Sequence, residues 1–171
     1  PTFLTYEAAQ YCMARLVSPL LEQGLFADLK LTRHRLYSQL LDNLNKAAAN
    51  GIPPEELGRY LQAAKISEET DGGIQDVTRA LTTYRLYCAE NNLVDFSLYL
   101  ELFWEPIRDE PTAGNHLFGT FTNLVYDNCE EDIPLAHDVI RVWMRDERLE
   151  SAVVAYDIDA GFRRFLAANP R

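Results

Sequence analysis

The sequence predicts a mainly α chain of the α+β class: a helical lobe followed by a strand–helix–strand unit that holds a small parallel β pair. Three observations predict it. Through the first hundred residues, apolar side chains recur at helical spacing. Two short β-rich runs, residues 121–126 and 151–156, then interrupt that pattern. Residues 133–147, between them, return to helical spacing through Val139, Ile140 and Trp143. Strand, helix, strand at this separation is a βαβ unit with a right-handed crossover.

Thr5 is placed to cap a first helix whose apolar residues are Ala8, Tyr11, Cys12, Leu16, Leu20 and Leu21, closed by Gly24. Pro19 lies inside it and is expected to kink or split it. Leu36, Leu40, Leu44 and Ala48 recur four apart and give a second helix, with Gly51 suited to the left-handed position just past its end. Pro53-Pro54-Glu55-Glu56 opens a short third helix bearing Leu57, Tyr60, Leu61 and Ala64, its acids near the positive end of the helix dipole. Residues 67–73, polar and glycine-ended, read as a loop. Ile74, Val77, Leu81, Tyr84 and Cys88 mark a long amphipathic helix that stops at Asn91-Asn92. A further helix runs from about Asp95 to Phe103, and Pro106 and Pro111 are expected to break the chain beyond it. The character changes after Asn115, and the first β-rich run begins at Phe121.

The chain carries 26 acidic against 16 basic residues, a net charge of −10, and only three of the bases are lysine. Such a surface repels phosphate backbones and argues against a free-standing nucleic-acid binder. A hydrophobic share of 47% is enough for a core and excludes a disordered tail. No uninterrupted apolar run reaches about 18 residues, and no charged-then-apolar signal pattern opens the chain. Cys12, Cys88 and Cys129 are scattered, which suits a reducing compartment and neither a disulfide framework nor a zinc site. The expected setting is cytoplasmic, and the opening at Pro1 without methionine fits a segment of something longer.

Both β-rich runs end in an aspartate, Asp127 and Asp157. In parallel sheets ligands gather at the carboxyl ends of strands, and a carboxylate there is what an ATPase uses to hold Mg²⁺ beside nucleotide phosphates. An aspartate after a strand is also an ordinary turn residue. The wider context is more specific. Residues 121–134, FTNLVYDNCEEDIP, resemble motif II of UvrD/Rep-type superfamily 1 DNA helicases, an apolar strand followed by D-E-x-Q-D. Residues 153–169, VVAYDIDAGFRRFLAAN, resemble motif III, and Leu93-Val94-Asp95-Phe96 resembles the L-x-D-F element that precedes motif II. The three occur in family order.

The resemblance implies two parts: residues 1–115 as the helical accessory subdomain and residues 116–171 as a βαβ segment of the helicase core. It implies a parent of the DNA repair or recombination class, bacterial, working with Mg-ATP and single-stranded DNA. Asp127 falls on the motif II aspartate that contacts Mg²⁺, and Asp157 and Asp159 fall on the motif III aspartates of the nucleotide site. Asn128 stands where the family has the glutamate that activates water, and an amide is not basic. Glu130 takes the glutamine position and Glu131 the following aspartate. Ala160 replaces the glutamine that senses the γ-phosphate, Leu166 replaces an arginine, and Tyr156 replaces the glycine before Asp157. Phe165 keeps the aromatic position that stacks on a DNA base, with Arg163 and Arg164 beside it as candidate DNA contacts. No G-x-x-x-x-G-K-[ST] occurs, so the chain lacks a phosphate cradle and is expected not to hydrolyse ATP alone. No residue is assigned a catalytic role.

Plainer readings stand beside these. Glu130, Glu131 and Asp132 before Pro134 read as a helix N-terminus, with Asp132 or a neighbour as cap. Phe162 and Phe165 read as packed and Arg163 and Arg164 as solvated. His34, His116 and His137 have no second ligand at metal spacing, and the cysteines read as buried structural thiols. Trp104 and Trp143 read as core. Residues 101–132 hold eight acids and one arginine, a local charge of −7 that argues against a DNA track on that face and suits either a basic protein partner or plain solvation. The alternative to a helicase-related segment is therefore an acidic protein-interaction module on a helicase scaffold. An unpaired β edge would further allow a homodimer, and no membrane partner is expected.

Overall fold

The computed structural model describes residues 1–28, 30–63 and 71–157, with the backbone alone at 61–63, 71 and 72. The chain divides into two compact units, Pro1–Ala48 with Ile52–Tyr99, and Ala49–Gly51 with Leu100–Arg171. The mainly α architecture with a small parallel β pair is present as the sequence predicts, and a second such pair accompanies it.

The first unit is built on helices α1 (Tyr6–Glu22), α2 (Arg33–Ala49, all but its last residue), α3 (Pro54–Ala63) and α4 (Asp71–Glu90). Thr5 caps α1 as expected, its Oγ1 accepting the Ala8 N–H at 3.2 Å. Pro19 does not split that helix, which runs unbroken from Tyr6 to Glu22. It is the fourth residue from the helix end, so the bond it forfeits, to Arg15 O, is followed by only a single turn of helix. The core of this unit includes Met13, Val17, Leu40, Leu41, Leu44, Ala80 and Tyr84, each at most 1% exposed. Each such aliphatic side chain contributes about 1.5–3 kcal/mol by leaving water.

Gly58 sets the approach of α3 to α4. A Cβ there would stand 3.0 Å from Thr78 Oγ1 and 3.3 Å from Ile74 Cγ2. The predicted loop over residues 67–73 is corrected at its end, because Asp71, Gly72 and Gly73 already belong to α4; residues 64–70 lie outside the described set. Packing of the apolar stripe from Ile74 onward outweighs the poor helix propensity of the two glycines.

The reading of continuous helix needs a second correction. Strands β1 (Thr2–Phe3) and β2 (Leu93–Val94) pair in parallel, Thr2 opposite Leu93 and Phe3 opposite Val94. Two-residue strands are too short to show a period of two, which is why no pattern announced them. Asp95 then caps the next helix: its Oδ1 accepts the Leu98 N–H at 2.8 Å.

That helix, α5 (Phe96–Asp109), runs through Pro106, again the fourth residue from the end, and the break expected there is absent. Glu110 separates it from α6 (Pro111–Thr120), a helix the sequence reading did not assign, and the strand that follows begins at Asn123, two residues into the predicted β-rich run. Pro111 occupies the first helical position, where its missing N–H costs nothing.

The second unit then contains β3 (Asn123–Tyr126), α7 (Pro134–Trp143) and β4 (Ser151–Val154), the βαβ unit that the sequence predicts, with strands shorter than the apolar runs. Phe121 is used differently: its N–H closes α6 on Leu117 O at 3.2 Å, and its carbonyl accepts the Trp143 Nε1–H at 3.2 Å. Leu124, Leu135, Val139 and Phe118 are buried in this unit. Trp143 is half-buried rather than core, tilted against Phe118 with ring centroids 5.6 Å apart, and Trp104 is half-buried too.

Candidate functional site at the carboxyl ends of β3 and β4

β3 and β4 lie side by side in parallel, from Asn123 opposite Ser151 to Tyr126 opposite Val154. Hydrogen bonding continues past the strands. Ala155 N–H donates to Tyr126 O at 2.8 Å, and Cys129 N–H donates to Ala155 O at 3.3 Å. Asp127 directly follows β3 and Asp157 comes three residues after β4 ends at Val154, so both lie past adjoining strand ends, the position where open parallel sheets collect ligands.

Asp127 is exposed, and its Oδ1 accepts the N–H of Asn128 at 2.9 Å. Asn128 adopts the left-handed conformation, φ 51 and ψ 42, which an asparagine tolerates better than most residues. A single 3₁₀ turn, Cys129–Glu131, follows. Asp157 is also exposed, and its N–H donates to Oε2 of Glu130 at 3.2 Å.

The three acids after Asn128 do not act as one helix cap. Ile133 is the N-cap of α7, with no side-chain cap bond, and Pro134 fills the first turn. Asp132 instead accepts the Tyr126 hydroxyl at 3.1 Å on Oδ2 and the Ile133 N–H at 3.3 Å on Oδ1. Partial burial, reinforced by the Asp132 charge, pushes the Tyr126 hydroxyl well above the usual tyrosine range, so it stays a donor. Glu130 is only 3% exposed, which nothing in its sequence context announced.

His137 joins the site although it reads as an isolated histidine. Its Nε2 lies 2.7 Å from Cys129 O, and because a carbonyl only accepts, Nε2 carries the proton. The ring meets Tyr126 edge to face at 6.3 Å. Cys129 is half-buried, its thiol pushed up by burial and then by the Glu130 charge. His34 stays at the surface beside Gln10, and His116 is exposed. A cavity of about 440 Å³ opens on the α7 side of the strands, with Tyr126, Glu130 and Tyr156 in its lining.

Asp159, Ala160, Phe162, Arg163, Arg164, Phe165 and Leu166 lie outside the described residues. Among those described, no group of three His, Cys, Asp or Glu side chains converges as a protein-only metal site requires. Mg²⁺ in phosphoryl transfer needs only one or two carboxylates beside the phosphates. Asp127, exposed past the end of β3, meets that part of the demand, and no group that would cradle the phosphates is found among the described residues. No helix among the described residues is long and apolar enough to cross a membrane. No protein-family model matches the chain, and no curated protein matches it.

Proposed function

We propose that the chain is a segment of a UvrD/Rep-like DNA helicase-related protein of the repair and recombination class, with degenerate ATPase motifs and no hydrolysis of its own. One observation carries the reading. Two strands paired in parallel through a crossover helix place Asp127 and Asp157 after adjoining strand ends, where a helicase core of that family holds its motif II and motif III aspartates.

The loss of hydrolysis follows from Asn128 and from the missing phosphate loop. In this reading Asp127 would contact a divalent cation in the parent, directly or through water, and Asp157 and Asp159 would line the nucleotide side. Phe165, Arg163 and Arg164 meet single-stranded DNA there, in a cytoplasmic, bacterial setting that keeps the three cysteines as thiols.

The test is Mn²⁺ added to the isotopically labelled chain. Line broadening confined to the amides around Asp127 and Asp157, and removed by Asp127→Ala, is expected. Broadening that ignores Asp127 would reduce both aspartates to strand terminators. ATP turnover with and without single-stranded DNA is expected to be nil.

The second reading, an acidic protein-interaction module, draws on exposed Glu105, Asp109, Glu110 and Asp127. All four residues of β4 are exposed as well, which leaves an edge for a second copy. Capture of a basic peptide that weakens with salt, or a dimer lost on Val153→Lys, would favour it.

A further inference from the structure

We infer that the cavity on the α7 side of β3 and β4 is a binding site for a basic amino acid with a free α-carboxylate, either free in solution or as the C-terminal residue of a peptide. This inference does not depend on the helicase reading, since Asp127 and Asp157 are not in the lining.

Three chemical features of the lining have to be explained together. The first is Glu130, a carboxylate 3% exposed that accepts one backbone N–H, from Asp157, on Oε2. Among the described residues its Oε1 has no hydrogen-bond donor and the side chain has no cation. A carboxylate so little exposed is costly unless a positive group, several donors or water meets it. Glu130 receives one donor on Oε2, while Oε1 still reaches solvent, open to a cation that enters the cavity. The second is the aromatic and apolar wall: Tyr126, Tyr156, Ile140 and Met144 line the same space. Tyrosine faces attract cations, and aliphatic surface accepts the stem of a long basic side chain.

The third is a positive rim. Arg141 is held by Asp138 one turn earlier, but Arg145 is exposed and makes no side-chain hydrogen bond or ion pair among the described residues. A cationic head alone would satisfy Glu130 and leave Arg145 repelling it. A ligand with a cation at one end and a carboxylate at the other satisfies both. A volume of about 440 Å³ lies within the range of about 300–1,000 Å³ typical of small-molecule sites.

The experiment is isothermal titration of the whole chain with L-arginine and L-lysine, with agmatine, which lacks the carboxylate, and with norvaline, which lacks the guanidinium. L-Arginine or L-lysine is expected to bind. Norvaline is expected to bind about tenfold more weakly, the order of a lost charge-assisted hydrogen bond. Agmatine is expected to lose about three- to fivefold, as for an exposed ion pair.

Glu130→Gln should erase the preference for arginine over norvaline, and Arg145→Ala the preference for arginine over agmatine. Asp127→Ala should change neither, which separates this site from the cation site. A dipeptide ending in arginine binding more tightly than free arginine assigns the site to a peptide terminus, and the reverse assigns it to the free amino acid. Absence of binding at millimolar concentration, or affinities indifferent to both variants, overturns the inference. If Glu130→Gln does not fold, the surface variant Arg145→Ala decides alone.

Discussion

Tyr84 donates its hydroxyl proton to Oδ2 of Asp95 across 2.9 Å, at a place where neither residue is more than 3% exposed. Oδ1 of the same carboxylate accepts Ser97 Oγ–H and Leu98 N–H, each at 2.8 Å. Three donors thus hold an interior carboxylate that links the long helix α4 to the start of α5. Burial, and then the Asp95 charge, push the Tyr84 hydroxyl far above the ordinary tyrosine range, so it remains a donor throughout the stable pH range.

Tyr84→Phe keeps the ring and removes one donor from that carboxylate. The expected loss is about 1–3 kcal/mol, the cost of a buried acceptor left short of its partner. Urea denaturation checks it. An unchanged midpoint would mean that Tyr84 contributes only its ring.

Asn128 tests the separation of shape from chemistry. Restoring the acid by Asn128→Glu forces a longer side chain into the left-handed region and is expected to cost about 1 kcal/mol, whereas Asn128→Gly should be neutral or mildly stabilising. Neither should produce ATP turnover, because the phosphate loop is still missing. Thermal melts and a phosphate-release assay on both variants check the two halves.

Asp146 carries a pH dependence. Its carboxylate accepts Arg148 Nε–H at 2.7 Å, Nη2–H at 2.6 Å and the Arg148 backbone N–H at 3.0 Å. These bonds pull its pKa down to about 2. A depressed carboxylate contributes its stability above the unfolded value, near 4, and loses it as pH falls through about 2. The urea midpoint of the wild type should therefore fall more steeply between pH 4 and pH 2 than that of Asp146→Asn. Parallel curves would show that the ion pair is too solvated to matter.

The cysteines should differ in reactivity. Burial pushes the Cys88 thiol up to about 11, and it is 1% exposed. Alkylation at pH 8 should spare Cys88 in the native chain and reach half-buried Cys12 and Cys129 more slowly than free thiol. All three should react in denaturant, with mass spectrometry of the peptides giving the order.

Long apolar periodicity made the fold legible: Leu36, Leu40 and Leu44 define α2, and Val139 and Ile140 define α7, without any need for context. Prolines misled, because Pro19 and Pro106 sit so near helix ends that little hydrogen bonding is lost. β1 and β2 were invisible, being held by each other and not by pattern. At the candidate site, Asp127 and Asp157 were readable because strand ends are. Glu130 and His137 were not, since a buried glutamate and a histidine bonded to a carbonyl look like surface residues until the turn between them folds back.

The pairing of Asn123 with Ser151, twenty-eight residues away, has a consequence for the order of events in folding. A hairpin can close on its own turn, but a parallel pair has to wait until its crossover has formed and docked. α7 must therefore organise before β4 finds β3. Until it does, Leu124, Val125, Val153 and Val154 stand as bare β-forming segments. The second unit thus leaves a newly made or heat-stressed chain with two segments open to wrong pairing with its neighbours.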